Sequence, residues 1–397
     1  MKTQLCLLSG ELMPNVIGIL YDQPQRVIPV ITQQSAYQLR HLENALRTAG
    51  CAAIIEEAVT VLPYDLADCL SSIGKAAALA SGPTINWTGG TKIMSFAARH
   101  VAQSAASRAM YVNTADLQLL VEEVAGQSGV QSELLDSARL GLNTLVHIEA
   151  AGHSVERGGS LEEFRTAHTP APELCAAAEA ILEAQGREWS DLFRLAAAAD
   201  KPYTPRQLSS RLLRALQAAK IIQPSTASGA FFLHAETLGR PFHRNSPQQE
   251  NAKFIQGGYL EVFLWSQLKQ RGAFDDVAWH VTLNPGQRGR VSEIDVVVAS
   301  GGRLLTIESK GRIELADLAD LIEEEYARSR RVGRLFGRWA IYIHQFKDEF
   351  WSHGAAAIIA SQEARAGDYG GRIFWHDDLV DFPVLIGGYL NEVQSRL

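Results

Sequence analysis

Short apolar runs alternate with amphipathic stretches through the N-terminal third of the chain. Gln4–Leu8, Arg26–Thr32, Cys51–Glu56, Pro83–Trp87 and Arg108–Asn113 read as strands, each a brief apolar run bounded by polar or turn residues. Gln34–Ala49, Tyr64–Ala80 and Thr91–Ser104 read as the helices between them. Strands alternating with helices predict a parallel, doubly wound sheet, in a chain of overall α/β class. Ligands on such sheets bind beyond the carboxyl ends of the strands. Two loops lie there, Ser9–Asn15 and Asn86–Met94.

The middle of the chain reads differently. His153–Gly159 is a polar joint, Pro170–Gln185 a helix, and Arg206–Ala219 an amphipathic helix followed by a short strand. Ser228–Glu236 returns as a hairpin strand, so this succession resembles a winged-helix piece, read either as a spacer passing a signal or as a DNA reader. Beyond it, Gly257–Gly272 reads as a helix with Tyr259, Phe263 and Leu264 on an apolar side and Glu261 in its first half.

The segment Ser292–Gly311 carries the most chemistry. Two apolar strands meet at Gly301-Gly302, which predicts a two-residue hairpin. In that register Asp295 lies opposite Glu308, and Glu293 opposite Lys310, with all four on one face. Carboxylates directly opposite one another repel. A hard divalent cation, Mg²⁺ or Mn²⁺, resolves the conflict through oxygen ligands. With Lys310 beside it, such a group is equipped for metal-assisted phosphodiester hydrolysis. A surface hairpin with a solvated polar face is the plain alternative.

The loop Asn86–Met94 contains Thr88-Gly89-Gly90-Thr91-Lys92. Its glycines allow close approach of backbone to ligand, and the following helix start offers free N–H groups to an anion. Lys92 stands where the helix dipole favours an anion, which makes sense with a phosphate docked there.

Composition narrows the classes without adding chemistry. The chain has 397 residues, 46% hydrophobic and 20% charged, as expected for two or three globular domains. No run is long and apolar enough for a membrane span, so no membrane is expected. Cys6, Cys51, Cys69 and Cys175 are scattered, read as small buried residues in a reducing cytoplasm. His344 reads as a packed or rim residue. A net charge of −7 excludes coating of nucleic acid by the whole surface. A local basic stretch, Ala327–Arg338 with five arginines, reads either as a nucleic-acid patch or as a solvated helix face.

The order of a helix-borne Glu261, a strand-borne Asp295 and Glu308-Ser309-Lys310 resembles the PD-(D/E)XK nuclease superfamily, with Ile294 where that motif often has proline. Together with a Rossmann-like N-terminus, a Pro14-Asn15 loop after the first strand and the TGGTK segment, the chain resembles the ancillary nucleases of type III CRISPR systems. These carry a CRISPR-associated Rossmann fold (CARF) sensor. The resemblance implies a CARF domain over 1–150, a helical and possible winged-helix linker over 151–245, and a PD-(D/E)XK domain over 246–397. It implies a homodimer whose sensors bind a cyclic oligoadenylate, cyclic tetra-adenylate foremost, through Ser9, Gly10, Glu11, Asn15, Thr88, Gly89, Gly90, Thr91 and Lys92. It implies cleavage of single-stranded RNA or DNA by Glu261, Asp295, Glu308 and Lys310, with Mn²⁺ or Mg²⁺ held by Glu261, Asp295 and Glu308. The hairpin geometry adds Glu293 to the catalytic set. Two alternatives stand beside this reading: a stand-alone restriction or repair DNA endonuclease, and a ligand-sensing transcription regulator with a silent nuclease fold.

Overall fold

The computed structural model describes residues 1–105, 107–113, 117–123, 130–156, 160–184, 186–198, 201–226, 229–237, 246–271, 273–284, 292–334, 337–350 and 354–392. The first sheet is built from β1 (Thr3–Leu7), α1 (Met13–Asp22), β2 (Arg26–Ile31), α2 (Gln38–Thr48), β3 (Ile54–Ile55), β4 (Val59–Thr60), α3 (Leu66–Ala78), β5 (Thr84–Asn86), α4 (Lys92–Ser104), β6 (Arg108–Asn113), β7 (Gln118–Glu123) and β8 (Gln131–Leu134). Its order is β3-β2-β1-β5-β6-β7-β8, with β4 beside β2. The strands from β3 to β6 are parallel, and β7 and β8 extend the edge antiparallel. Every residue of β1 is buried, because helices cover both faces. Cys6 joins the core under α1 and α2, whereas Leu5 and Leu7 join the core under α3 and α4.

The alternation predicted for this region is present, with three differences. Cys51–Glu56 is not one strand; β3 and β4 are two short pieces that pair with opposite ends of β2. The loop expected at Ser9–Asn15 gives way at Met13 to α1, where Pro14 fits the first turn because its missing N–H is unneeded there. The antiparallel edge strands β7 and β8 follow no expected element.

Helices fill the middle: α5 (Thr144–Ala150), α6 (Leu161–Ala167), α7 (Pro172–Leu182), α8 (Arg187–Ala197) and α9 (Ser210–Ala218). A hairpin of β9 (Ile222–Pro224) and β10 (Phe231–Leu233) follows, then α10 (Pro247–Lys253) and α11 (Tyr259–Gln270). Arg157, Gly158 and Gly159 of the expected joint, and Ser228 of the expected hairpin, lie outside the described residues. Two basic residues of the winged-helix-like piece are paired with acids: Arg211 with Glu183, and Lys220 with Glu236.

The second sheet has the order β11 (Asp276–Leu283), β12 (Ser292–Ser300), β13 (Arg303–Lys310), β14 (Gly337–Ile343) and β15 (Gly371–Trp375). The first two pairings are antiparallel, the last two parallel. Helix α11, with α14 (Phe382–Glu392), covers one face, in a core that also takes in Leu174 of α7 and Leu212 of α9. Helices α12 (Leu318–Val332) and α13 (Ala355–Asp368) cover the other. Among the described residues no helix is long and apolar enough to cross a membrane.

Helix α5 joins the two sheets. Leu145 and Ile148 pack with Val281, Ile294 and Leu304 of the second sheet, and Val146 and Ala150 pack with Val112 and Leu42 of the first unit. Thr144 at its start donates its hydroxyl to Asp276 Oδ2 at 2.7 Å. All seven residues are buried, including His147. Burial holds the His147 imidazole neutral, with its pKa depressed to about 4. In the unfolded chain it titrates near 6.5. The folded state therefore keeps this contribution in full above about pH 6.5 and loses it as pH falls towards 4. Lowering the pH from 7 to 5 should cost about 2 kcal/mol through this one group. Urea unfolding of His147→Asn should show a correspondingly shallower pH dependence; an unchanged dependence would remove His147 as its source.

Candidate active site and ligand pocket

The chemistry collects where β11, β12 and β13 meet α11 and α12. The hairpin register is as predicted as far as the ladder runs: Ser300 faces Arg303 and Val296 faces Ile307. Beyond Val296 the strands part. β12 stays with β11, where Glu293 faces Thr282, while β13 stays with β14, where Lys310 faces Ile343. Glu293 therefore turns to His280 rather than to Lys310, its Oε1 lying 3.4 Å from His280 Nδ1. The ladder thus stops one pair short of Asp295–Glu308, which still interact, and leaves a wedge in which Glu293 is not paired with Lys310. Beyond Val296–Ile307 the Ser309 N–H goes to the Asp295 side chain instead.

Asp295 sits in that wedge. Its Oδ2 accepts hydrogen bonds from the Ser309 backbone N–H at 2.8 Å and the Ser309 hydroxyl at 2.9 Å. These donors favour the charged form, but burial outweighs them, and Glu261 and Glu308 add repulsion. The carboxyl is held well above the ordinary range. Glu308 is also buried, with Oε1 on Lys310 Nζ and Oε2 on the Arg328 guanidinium. Burial alone would lower the Lys310 pKa, yet the charges of Glu308 and Asp295 raise it, so the ammonium persists.

Glu261 reaches the site from the opposite face of the sheet, its Oε2 lying 3.3 Å from His280 Nδ1. His280 does not follow from the sequence pattern. It lies between the pairs Trp279–Val296 and Val281–Ile294, in a left-handed conformation with φ +51°. A non-glycine residue there costs roughly 1–2 kcal/mol. The kink reverses the alternation of β11: Val277 and Trp279 enter the α11 core, whereas Val281 and Leu283 enter the α5 core. His168 braces it, its Nδ1 donating to the carbonyls of Trp279 and His280 at 2.9 and 3.1 Å. Burial depresses the His280 pKa, but its bond to Glu261 and the charges of Glu261 and Glu293 raise it above the ordinary value overall.

Two further residues were hidden in sequence. Arg328 belongs to the basic stretch read as a nucleic-acid patch or solvated face, yet it points inward, 2.7 Å from Glu325 Oε1. Arg334 of the same stretch donates to the Ala151 carbonyl at 3.0 Å, and Leu335 and Phe336 lie outside the described residues. Glu325 is fully buried, and burial, reinforced by Glu308, raises its pKa to about 8. An i, i+3 Glu–Arg pair in a helix is too common to stand out in a sequence. His344 is a partly buried rim residue against Tyr342 and His376, pushed down to about 4 by burial.

The donors suit a hard cation: three carboxylates and no thiolate. The repulsion on Asp295 is the kind a divalent ion relieves. Among the described residues, however, no three such side chains already stand in the arrangement of a bound metal. Both oxygens of Glu308 face cations instead.

The second cluster lies at the carboxyl ends of β1, β2 and β5, at the switch point between β1 and β5. A cavity of about 220 Å³ is lined there by Ser9, Gly10, Gly90 and Thr91, with Thr32, Gln34, Ser35, Tyr37, Pro63 and Tyr64. Lys92 is exposed at the first position of α4, whose first turn has no acidic residue. Other expected contacts serve the frame. Asn15 is buried and donates to the Leu7 carbonyl at 2.9 Å. Thr88 Oγ1 donates to Asn86 and accepts from the Val112 N–H. Thr91 Oγ1 caps α4 and donates to the Pro63 carbonyl. Ser9 Oγ bonds to the backbone of Glu11.

Gly89 is essential to this frame: a Cβ there would meet the Leu7 carbonyl oxygen at 2.0 Å. Gly89→Ala should destabilise the protein by about 2–3 kcal/mol by forcing the β1 and β5 loops apart. Thermal unfolding measures this, and a wild-type midpoint would refute the packing argument.

A scan against protein-family models finds no match, and a search of curated proteins finds no relative. Solved structures do share the fold. Can2 from Sulfobacillus thermosulfidooxidans, in complex with cyclic tetra-adenylate, has a TM-score of 0.66 at 20% identity, over 98% of this chain and 99% of its own. Protein VC1899 from Vibrio cholerae has a TM-score of 0.70 at 16% identity, over 99% of this chain and 98% of its own. A type III CRISPR defence DNA nuclease activated by cyclic oligoadenylate has a TM-score of 0.53 at 18% identity, over 86% of this chain and 45% of its own. At such identities the shared property is the fold, and with Can2 and VC1899 it extends over the whole chain.

Proposed function

We propose that the protein is a metal-dependent nuclease of PD-(D/E)XK type, active as a homodimer and switched by a cyclic oligoadenylate bound to an N-terminal CARF domain. The observation that carries the catalytic half is the wedge that buries Asp295 between Glu261 and Glu308 beside Lys310. The full-length likeness to Can2, solved with cyclic tetra-adenylate, supports the sensing half. So does the position of the cavity at the switch point of the parallel sheet.

In this reading Asp295, Glu308 and Glu261 hold Mn²⁺ or Mg²⁺. Bound there, a divalent ion polarises the scissile phosphate and lowers the pKa of a water. Ser309 fixes the Asp295 carboxylate through two donors. His280 orients Glu261, and Glu293 steadies His280. Lys310 positions the attacking water or stabilises charge on the phosphate. In the sensor, Ser9, Gly10, Gly90, Thr91 and Lys92 face the ring, while Glu11, Asn15, Thr88 and Gly89 shape the loops. Tyr37 and Tyr64, 59% and 80% exposed at the cavity, offer stacking faces for adenine. A ring with two-fold symmetry matches a two-fold dimer, each protomer meeting half the ring.

The test is cleavage of single-stranded RNA, single-stranded DNA and plasmid with Mn²⁺ or Mg²⁺, with and without each cyclic oligoadenylate. Ring-dependent cleavage of a single strand is expected; no cleavage under any of these conditions would refute the proposal. Glu308→Ala should reduce cleavage on the order of 10²-fold or more while ring binding persists. Full cleavage by that variant, with ring and metal present, would overturn the site. Lys92→Ala should weaken ring affinity about ten-fold, through loss of a charge-assisted contact, without changing metal binding. Unchanged calorimetric affinity would remove Lys92 from the ring site.

A further inference from the structure

One cation inside the acidic cluster belongs to no part of the nuclease motif. The Arg328 side chain is only 13% exposed. It bonds Glu308 Oε2, lies 2.7 Å from Glu325 Oε1, and reaches Glu324 Oε1 at 3.3 Å. Lys310 holds the other oxygen of Glu308, but its side chain is 40% exposed and has room to turn outwards. Arg328 has less freedom. Its helix is fixed below by Leu321, Ile322, Ser329 and Val332, all buried. Past the helix end, Arg334 bonds the Ala151 carbonyl, and within its last turn the Arg331 carbonyl meets His153 Nε2 at 2.8 Å.

Buried carboxylates need a partner cation, and a guanidinium is well suited to bridging two of them. A divalent ion at Glu308 makes the same demand on the same oxygens. An ion that takes Glu308 Oε2, alone or with Oε1, must displace Arg328 from it. We propose that Arg328 is the resident counter-cation of the metal-free site and competes directly with the divalent ion for Glu308. It lowers the apparent metal affinity by the fraction of time Glu308 stays paired. This rests on the metal-site reading above and adds to it a residue that sets the threshold for metal loading.

The test is calorimetric titration of Mn²⁺ into full-length protein stripped with a chelator, for the wild type, Arg328→Gln and Arg328→Lys. Thermal midpoints are taken with and without Mn²⁺. Arg328→Gln should bind Mn²⁺ about ten-fold tighter than the wild type. Its midpoint should fall without metal and recover more than the wild type's when Mn²⁺ is added. Arg328→Lys keeps the charge but lacks the fork that spans Glu308 and Glu325, so an intermediate affinity is expected and folding is better preserved. Mn²⁺ affinity in both variants equal to or weaker than wild type would overturn the proposal, since Arg328 would then only position Glu308. No Mn²⁺ uptake by any of the three proteins would sink the metal reading itself, and the competition with it.

Discussion

The structure turns on the burial of Asp295 between two other carboxylates. A carboxyl group in such a place must hold a proton or gain a cation, because burial and like charge both oppose ionisation. The surroundings answer with fixed positive groups rather than with apolar filling. Lys310 and Arg328 neutralise Glu308, and His280 is drawn towards its charged form by Glu261 and Glu293. Each compensating group comes from a different element, so the site depends on the sheet and both covering helices together. The left-handed kink at His280 is the backbone cost at the position whose ring meets both Glu261 and Glu293.

The same elements that build the site reach the first sheet. Helix α5 divides its buried residues between the two cores, and the hairpin turn below the site is fastened beside it. Gly301 donates its N–H to Asp275, which also accepts from the Ser137 hydroxyl. Gly302, at φ +72°, has no room for a Cβ against Leu117. The hairpin that carries Asp295 and Glu308 at one end is therefore held at its turn by Ser137, through Asp275, and by Leu117, which packs in the core of the first sheet. Packed side chains thus run without a break from the first sheet to the hairpin that carries the carboxylates.

Much of this was legible in the sequence. Apolar runs and a Gly-Gly pair defined the hairpin, and the order Glu261, Asp295, Glu308, Lys310 pointed to residues that the fold does bring into one cluster. What escaped depended on tertiary contacts. The ladder of β12 and β13 ends after Val296–Ile307, and the Ser309 N–H goes to the Asp295 side chain instead. His280 gave no signal, since left-handed backbone at a histidine follows from its packing against His168. Arg328 looked like surface charge because the pattern of α12 does not show which arginine faces a buried glutamate. Asn15 and Thr88 sat in the expected loops, but their polar atoms are committed to the frame.

The most direct measurement is anomalous diffraction at the manganese absorption edge from crystals grown with Mn²⁺. A peak within coordinating distance of Asp295 and Glu308, with Arg328 withdrawn from Glu308, is the expected result. A peak elsewhere, or none at the wedge with Arg328 still paired, would contradict the account.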